Sequence, residues 1–327
     1  MAETTEVTVK TPSRLHFGII DMRGDLGRIY CSVGVAIDRP KVVLQARKAD
    51  DIVVSGSRAD RVRRYAETIL KQSNAERGSR LKILADIPEH VGLGSGTQIA
   101  LATGAALSRL FDLNLSIEEI AEKLDRGKRS AIGLNAFKMG GFVLDGGHNV
   151  KNPHGVPPLI FRSEVPEDWF FVVGIPSVGK RMSGTTETAA FEQVPKPGKE
   201  LVSEVSRIVL VQMIPALLDR DIEAFGEAIT LVNFKLGDSW ATVQGGRFGY
   251  RETEAGIDFL MKEGAFGAGQ SSWGPTFYGL VKGGNKARQM VDALCAHFKK
   301  SGGGQAFCTG VNNKGAEIAL VSKASRG

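Results

Sequence analysis

A chain of 327 residues, 42% hydrophobic and 24% charged, has room for two ordinary domains with real cores, and this composition excludes a disordered, fibrous or collagen-like protein. Its three cysteines, Cys31, Cys295 and Cys308, are odd in number and far apart, which excludes a closed disulfide framework or a paired metal motif and predicts reduced thiols. A net charge of +6 and an isoelectric point near 9.2 leave open a nucleic acid, an anionic small molecule or a merely solvated lysine-rich face, although the basic residues are not gathered into one tail.

Glu6 to Thr11, and then Ile29 to Arg47, are short β-branched or alternating runs broken by Gly and Pro, which predict strands. Arg58 to Gln72 places Val62, Tyr65, Ala66, Ile69 and Leu70 at the spacing of an amphipathic helix. Leu81 to Ala85 reads as a strand, Pro88 to Gly96 as a Gly-rich loop, and Thr97 to Phe111 as a helix buried on most sides. Asn114 or Ser116 caps the next helix, which carries Glu118 and Glu119 in its first turn and runs to about Leu124.

After a second Gly-containing loop, Gly140 to Asp145 is predicted as a strand, and the Pro- and Gly-rich stretch Gly146 to Pro158 as a domain boundary. Domains of 1–155 and 156–327 follow. In the second, Phe170 to Pro176 is a strand, and Glu200 to Leu218, Asp221 to Leu236 and Glu252 to Lys262 are helices. Strand Pro275 to Val281, helix Asn285 to Lys299, and strands Gln305 to Thr309 and Ala316 to Val321 complete an α+β unit. No apolar run approaches the roughly 20 residues that span a bilayer, and Met1 to Lys10 lacks a signal-peptide apolar region, so a cytoplasmic chain without membrane contact is expected.

The segment from Pro88 to Gln98 carries the chemistry. It follows a strand and opens a helix, where unpaired N–H groups and the positive end of the helix dipole attract phosphate. Gly92, Gly94 and Gly96 let an anion approach the backbone, and Ser95, Thr97 and Gln98 offer side-chain donors. A tight turn with a Ser/Thr cap would read the same. The loop lacks the Gly-Lys-Ser/Thr ending of a Walker A motif and the glycine spacing of a dinucleotide fingerprint.

The string from Pro88 to Gly96 instead resembles the second motif of the GHMP-kinase superfamily. Thr11 to Gly18 resembles its first motif, and Gly264 to Thr276 stands in the place of its third. Three motifs in order across nearly the whole chain imply a two-domain α+β fold: a ribosomal protein S5 domain 2-like N-terminal domain followed by a ferredoxin-like C-terminal domain. Members that are kinases generally carry an Asp seven residues before a Gly-Gly pair. Counting back from Gly140 and Gly141 puts Gly133 there, and glycine cannot accept a proton. Asn135 lies nearby. A small-molecule kinase is therefore the second reading. An RNA-binding protein is the third, since only 7% of residues are aromatic and no aromatic-basic stripe appears.

Within the superfamily, the strings Thr11 to Met22, Arg129 to Gly133 and Gly269 to Pro275 resemble those of the β-ribofuranosylaminobenzene 5'-phosphate synthases. That resemblance implies transfer of phosphoribose from phosphoribosyl pyrophosphate to the ring carbon of 4-aminobenzoate, with release of carbon dioxide and pyrophosphate, on the way to methanopterin. It also implies Mg²⁺, and suggests a homodimer with no nucleic-acid partner. On this reading Arg14, His16, Asp21 and Arg23 are catalytic, and Asp21 or Asp25 could hold Mg²⁺ through water. Gly92, Leu93, Gly94, Ser95, Gly96, Thr97, Gln98, Arg129 and Ser130 bind phosphate, while Gly269, Gln270, Ser271, Ser272 and Trp273 bind substrate, with Trp273 stacked on the arene. Plain alternatives stand beside several of these. Arg23 and Asp25 could be a charged hairpin, His16 a core histidine and Trp273 an interface plug. The polar stretch Lys180, Arg181, Ser183 and Glu187 is a candidate closing loop. His90, His148, His154 and His297 read as structural or exposed.

Overall fold

The computed structural model describes residues 4–75, 77–178 and 195–323. Strands β1 (Thr4–Lys10) and β2 (Ser13–Ile19) are separated by Thr11-Pro12 and enter different sheets. They are followed by β3 (Arg28–Ile29), β4 (Ser32–Ile37), β5 (Val43–Ala49), β6 (Val53–Ser55), helix α1 (Ala59–Gln72) and β7 (Gly78–Ala85). Helix α1 buries Val62, Ala66, Ile69 and Leu70, the apolar face expected from its 3.6-residue period.

Helix α2 (Ser95–Phe111) is the centre of the first half, with Arg109 its one exposed residue. Small residues make this possible. A Cβ at Gly104 would stand 2.3 Å from Ile120 Cγ2, so helix α3 (Ile117–Lys123) lies directly against it. Ser116 caps α3 in a reciprocal capping box with Glu119. Next come α4 (Ile132–Met139), β8 (Phe142–Asp145), β9 (His148–Asn149), β10 (Leu159–Ser163) and β11 (Trp169–Pro176). Helix α4 occupies much of what the sequence reads as a loop, because its glycine marks a close helix contact rather than a break.

Helix α5 (Lys199–Ile208) runs through a π-helical turn, Val209–Met213, into α6 (Ile214–Leu218). By length and composition this run, Lys199–Leu218, could cross a membrane, which corrects the expectation that no stretch qualifies. Val205, Val209, Met213, Ala216 and Leu217 are buried, and the run packs against the long helix α7 (Ile222–Gln244). Then follow α8 (Arg251–Lys262), β12 (Gly267–Gln270), β13 (Phe277–Lys282), α9 (Gly284–Lys300), β14 (Gly304–Gly310) and β15 (Glu317–Lys323).

The four-stranded sheet β12-β13-β11-β14 is antiparallel, and its order and crossovers are those of the ferredoxin-like motif. The N-terminal half holds a five-stranded sheet, β15-β1-β5-β7-β6, and a four-stranded one, β10-β8-β4-β2. Two of these strands lie beyond residue 155. β10 pairs with β8, and β15 pairs with β1 from Thr4↔Lys323 to Lys10↔Glu317. The last strand therefore completes the first sheet rather than the C-terminal unit, since β1 has an open edge and apolar positions in register with Ile318 and Leu320.

Candidate active site

The three Gly-containing motifs meet in space. Strand β2 has an irregular register against β4 between His16 and Gly18, which leaves the Phe17 carbonyl free of the ladder, and Asn233 Nδ2 of α7 donates to it at 2.9 Å. A Cβ at Gly18 would stand 2.4 Å from Leu236 Cδ1, so the glycine is what admits α7. Asn233 also accepts from Gln270 N at 2.8 Å and donates to the Tyr278 hydroxyl at 3.0 Å. One buried amide thus ties β2 to β12 and β13.

Ser271 makes the second tie. Its hydroxyl donates to the Gly92 carbonyl at 2.6 Å and accepts from His16 N at 3.0 Å. Arg14 Nη1 donates to the same Gly92 carbonyl at 2.6 Å, and its side chain crosses the glycine turn within 3.0 Å of where a Gly94 Cβ would be. Gly92 at φ +89° and Gly94 at φ +80° occupy the left-handed region. Here glycine serves contact between two loops as well as any ligand: a Cβ at Gly92 would lie 2.1 Å from the Ser271 carbonyl oxygen.

Beside these ties lies a cavity of about 520 Å³. One end is cationic, with Arg14, Arg126, Lys128 and Arg129 on its wall, together with Thr97 from the first turn of α2. That turn carries no acidic residue, whereas α3 has two in its first turn. The positive end of the α2 dipole is thus left for an outside anion. The other end is apolar: Phe17, Ile19, Leu236, Phe248, and the indoles of Trp240 and Trp273, edge to face at 5.6 Å and 82°.

Of the residues predicted for the site, Arg14, His16, Thr97, Arg129, Ser130, Gln270, Ser272 and Trp273 line this cavity. The others do not. Gly92, Leu93, Gly94, Ser95 and Gly96 form the turn behind Arg14 and Thr97. Gln98 is fully buried and donates to the Gly133 carbonyl at 2.7 Å, which clamps α2 to α4. Gly269 packs on Asn233 and Ser271 on Gly92, both as internal contacts. Asp21 caps a turn, its Oδ1 accepting from Arg23 N at 2.6 Å and Gly24 N at 3.1 Å, and does not line the cavity. Arg23 is paired with Asp25 at 3.2 Å and donates to the Pro197 carbonyl at 2.7 Å, away from the cavity wall. Lys180, Arg181, Ser183 and Glu187 lie outside the described residues. Asn233 and Trp240 were not anticipated, because nothing in the linear pattern of an amphipathic helix marks which of its residues face a distant loop.

Electrostatics sharpen two roles. Burial, with Arg14 beside it, lowers the His16 imidazole to about 3, so the ring is neutral in ordinary buffers. Burial pushes the Asp145 carboxyl up to about 6 against four hydrogen bonds, from Gly147 N, Ala131 N, Ser32 N and Ser130 Oγ, that favour its ionised form. At Gly133 there is no side chain, and a Cβ would touch Thr97 Cγ2 at 3.3 Å, at the cavity's cationic end. A side chain at position 133 would therefore lie against Thr97, on the wall that carries Arg14 and the 125–130 loop.

The chain matches the GHMP kinases N terminal domain over residues 60–141 and the GHMP kinases C terminal domain over 213–300. A homoserine kinase structure from Cytophaga hutchinsonii covers 96% of the chain and 97% of its own length with a TM-score of 0.71, at 17% identity, a likeness of fold alone. Three archaeal relatives are named beta-ribofuranosylphenol 5'-phosphate synthase. That of Methanothermobacter thermautotrophicus is 32% identical over 95% of this chain and 98% of its own length. That of Archaeoglobus fulgidus is 33% identical over the same shares. Identity at this level, end to end across both domains and all three glycine-containing motifs, means that the chain belongs to the beta-ribofuranosylphenol 5'-phosphate synthase family of GHMP-fold proteins.

Proposed function

We propose that the chain transfers the phosphoribosyl group of phosphoribosyl pyrophosphate to the carboxyl-bearing ring carbon of a para-substituted benzoate. The bond from ribose C1 to the diphosphate oxygen breaks and a bond from C1 to the ring carbon forms. The carboxyl group then leaves as carbon dioxide, and its bonding pair restores the aromatic ring. The observation that carries this reading is one cavity with a cationic end at a carboxylate-free helix N-terminus and an indole-lined end opposite. Phosphate groups of the donor suit the first, a flat arene the second. Arg14, on the cationic wall, can stabilise the departing diphosphate.

His16, neutral beside Arg14, contributes a hydrogen-bonding ring to the same wall without adding a second charge. The acceptor is 4-aminobenzoate or 4-hydroxybenzoate. The relatives are named for a ribofuranosylphenol, which favours testing both. Mg²⁺ is proposed to arrive with the donor diphosphate. Among the described residues no three His, Cys, Asp or Glu side chains converge, and Asp125 on the cavity wall is paired with Lys128 at 2.7 Å. These residues do not fit a resident ion, and no step is assigned to one. The protein partner we propose is a second copy of the chain, which sedimentation velocity would check, a 35.1 kDa monomer being the contrary result.

The deciding experiment supplies phosphoribosyl pyrophosphate, Mg²⁺ and a carboxyl-labelled acceptor, in parallel with ATP and candidate alcohols. Labelled carbon dioxide without ADP is expected. ADP formed only when an alcohol is added would replace the reading with a kinase.

A further inference from the structure

The cationic wall of the cavity is the loop 125–130, and its shape is imposed from outside the loop. Gly127 sits at φ +86°, and the loop's cations project between two anchoring points that both lead to the turn after β8. Asp145, fully buried, accepts from Ser130 Oγ at 3.3 Å and from Ala131 N at 2.8 Å. Three residues further on, His148, only 4% exposed, donates from Nε2 to the Gly127 carbonyl at 2.9 Å. The turn is itself held flush. A Cβ at Gly147 would lie 2.1 Å from the Ile29 carbonyl oxygen, and Arg28 Nη2 donates to the Gly147 carbonyl at 2.6 Å.

We propose that Asp145 and His148 are positioning residues for the anion-binding wall, gripping its loop on either side of Lys128 and Arg129 and so setting where those cations meet a phosphate. Neither residue lines the cavity, so both act through the loop. Charge-assisted contacts to phosphate depend on the placement of both partners, and supports of this kind keep that placement without touching ligand. The chemistry recognised is a phosphate or diphosphate group. Its identity as part of a ribosyl donor rests on the function proposed above, whereas the positioning role does not.

The test titrates inorganic diphosphate into the wild type, His148→Ala, His148→Gln and Arg129→Ala, and follows amide hydrogen exchange across residues 126–131. His148→Ala is expected to bind diphosphate about tenfold more weakly and to exchange faster in the loop, with a lower melting temperature because a buried side chain and its hydrogen bond are lost. His148→Gln, which keeps a donor at a similar reach, is expected to restore both. If His148→Ala binds diphosphate as tightly as the wild type with its loop equally protected, the positioning role is overturned; weakened binding by Arg129→Ala in the same series would leave the reading of the cavity standing. A wild type that binds no diphosphate overturns both. Should His148→Ala fail to fold, His148→Met against His148→Gln makes the same comparison of bulk without and with a donor, and equal binding by the two rejects the proposal.

Discussion

Trp273 shows how one side chain can hold two of the roles that its sequence context leaves open. It is 7% exposed and packs with Ile19, Met22 and Trp240, yet its ring also forms cavity wall. Trp273→Ala is expected to raise the Michaelis constant for the benzoate about tenfold while changing that for the ribosyl donor little, since stacking contributes about 1 kcal/mol or more beyond area burial. Initial-rate kinetics with each substrate varied in turn would check this, and an unchanged benzoate constant would reject the stacking role. His16 gives a pH signature. Its folded value of about 3 lies below the ordinary 6.5, so the unfolded chain takes up a proton that the folded chain refuses. The fold therefore loses stability as pH falls from about 6.5 towards 3, by at most roughly 1.4 kcal/mol per pH unit. Asp145, raised to about 6, acts in the opposite sense between 3.8 and 6, so a single curve would blur the two. Urea midpoints of the wild type and His16→Gln compared from pH 7 to pH 4 isolate the histidine: the variant is expected to lose less.

Among elements, the start of α2 was the most legible, because glycines after a strand, a run of hydroxyl and amide residues and an Ala-rich helix all report local backbone needs. What those glycines contact was not legible. The sequence reads Gly92 as room for an anion, and in the structure the room is taken by the Ser271 carbonyl. Gly92→Ala is accordingly expected to destabilise the fold by about 2–4 kcal/mol, from a left-handed φ and a backbone clash together, measured by chemical unfolding. An effect on ligand binding alone, with stability intact, would argue that the loop contact is not needed. Helix α4 was missed for the converse reason: Gly133 looks like a loop residue in a window of neighbours, and its true constraint is Thr97, 36 positions earlier in the chain.

At the scale of the whole molecule, the chain's two ends share a sheet. Seven register pairs join β1 to β15, so the N-terminal half is incomplete without residues from the far end. A chain shortened to end before Glu317 is expected to expose Val7 and Val9 and to melt well below the full-length protein by circular dichroism. An unchanged melting temperature would mean that β15 is dispensable. The sequence by itself determined the superfamily, the order of its glycine motifs, the loss of a carboxylate at Gly133 and the amphipathic and buried helices, all of which follow from local backbone geometry and residue chemistry. Only the tertiary structure decided that Asp21 caps a turn, that Arg23 pairs with Asp25, that Gln98 and Ser271 make internal contacts, and that Asn233 and Trp240 line the cavity. Hydrogen-bonding side chains are satisfied by whatever folding brings near, and that partner is set by long-range packing that no window of neighbouring residues contains.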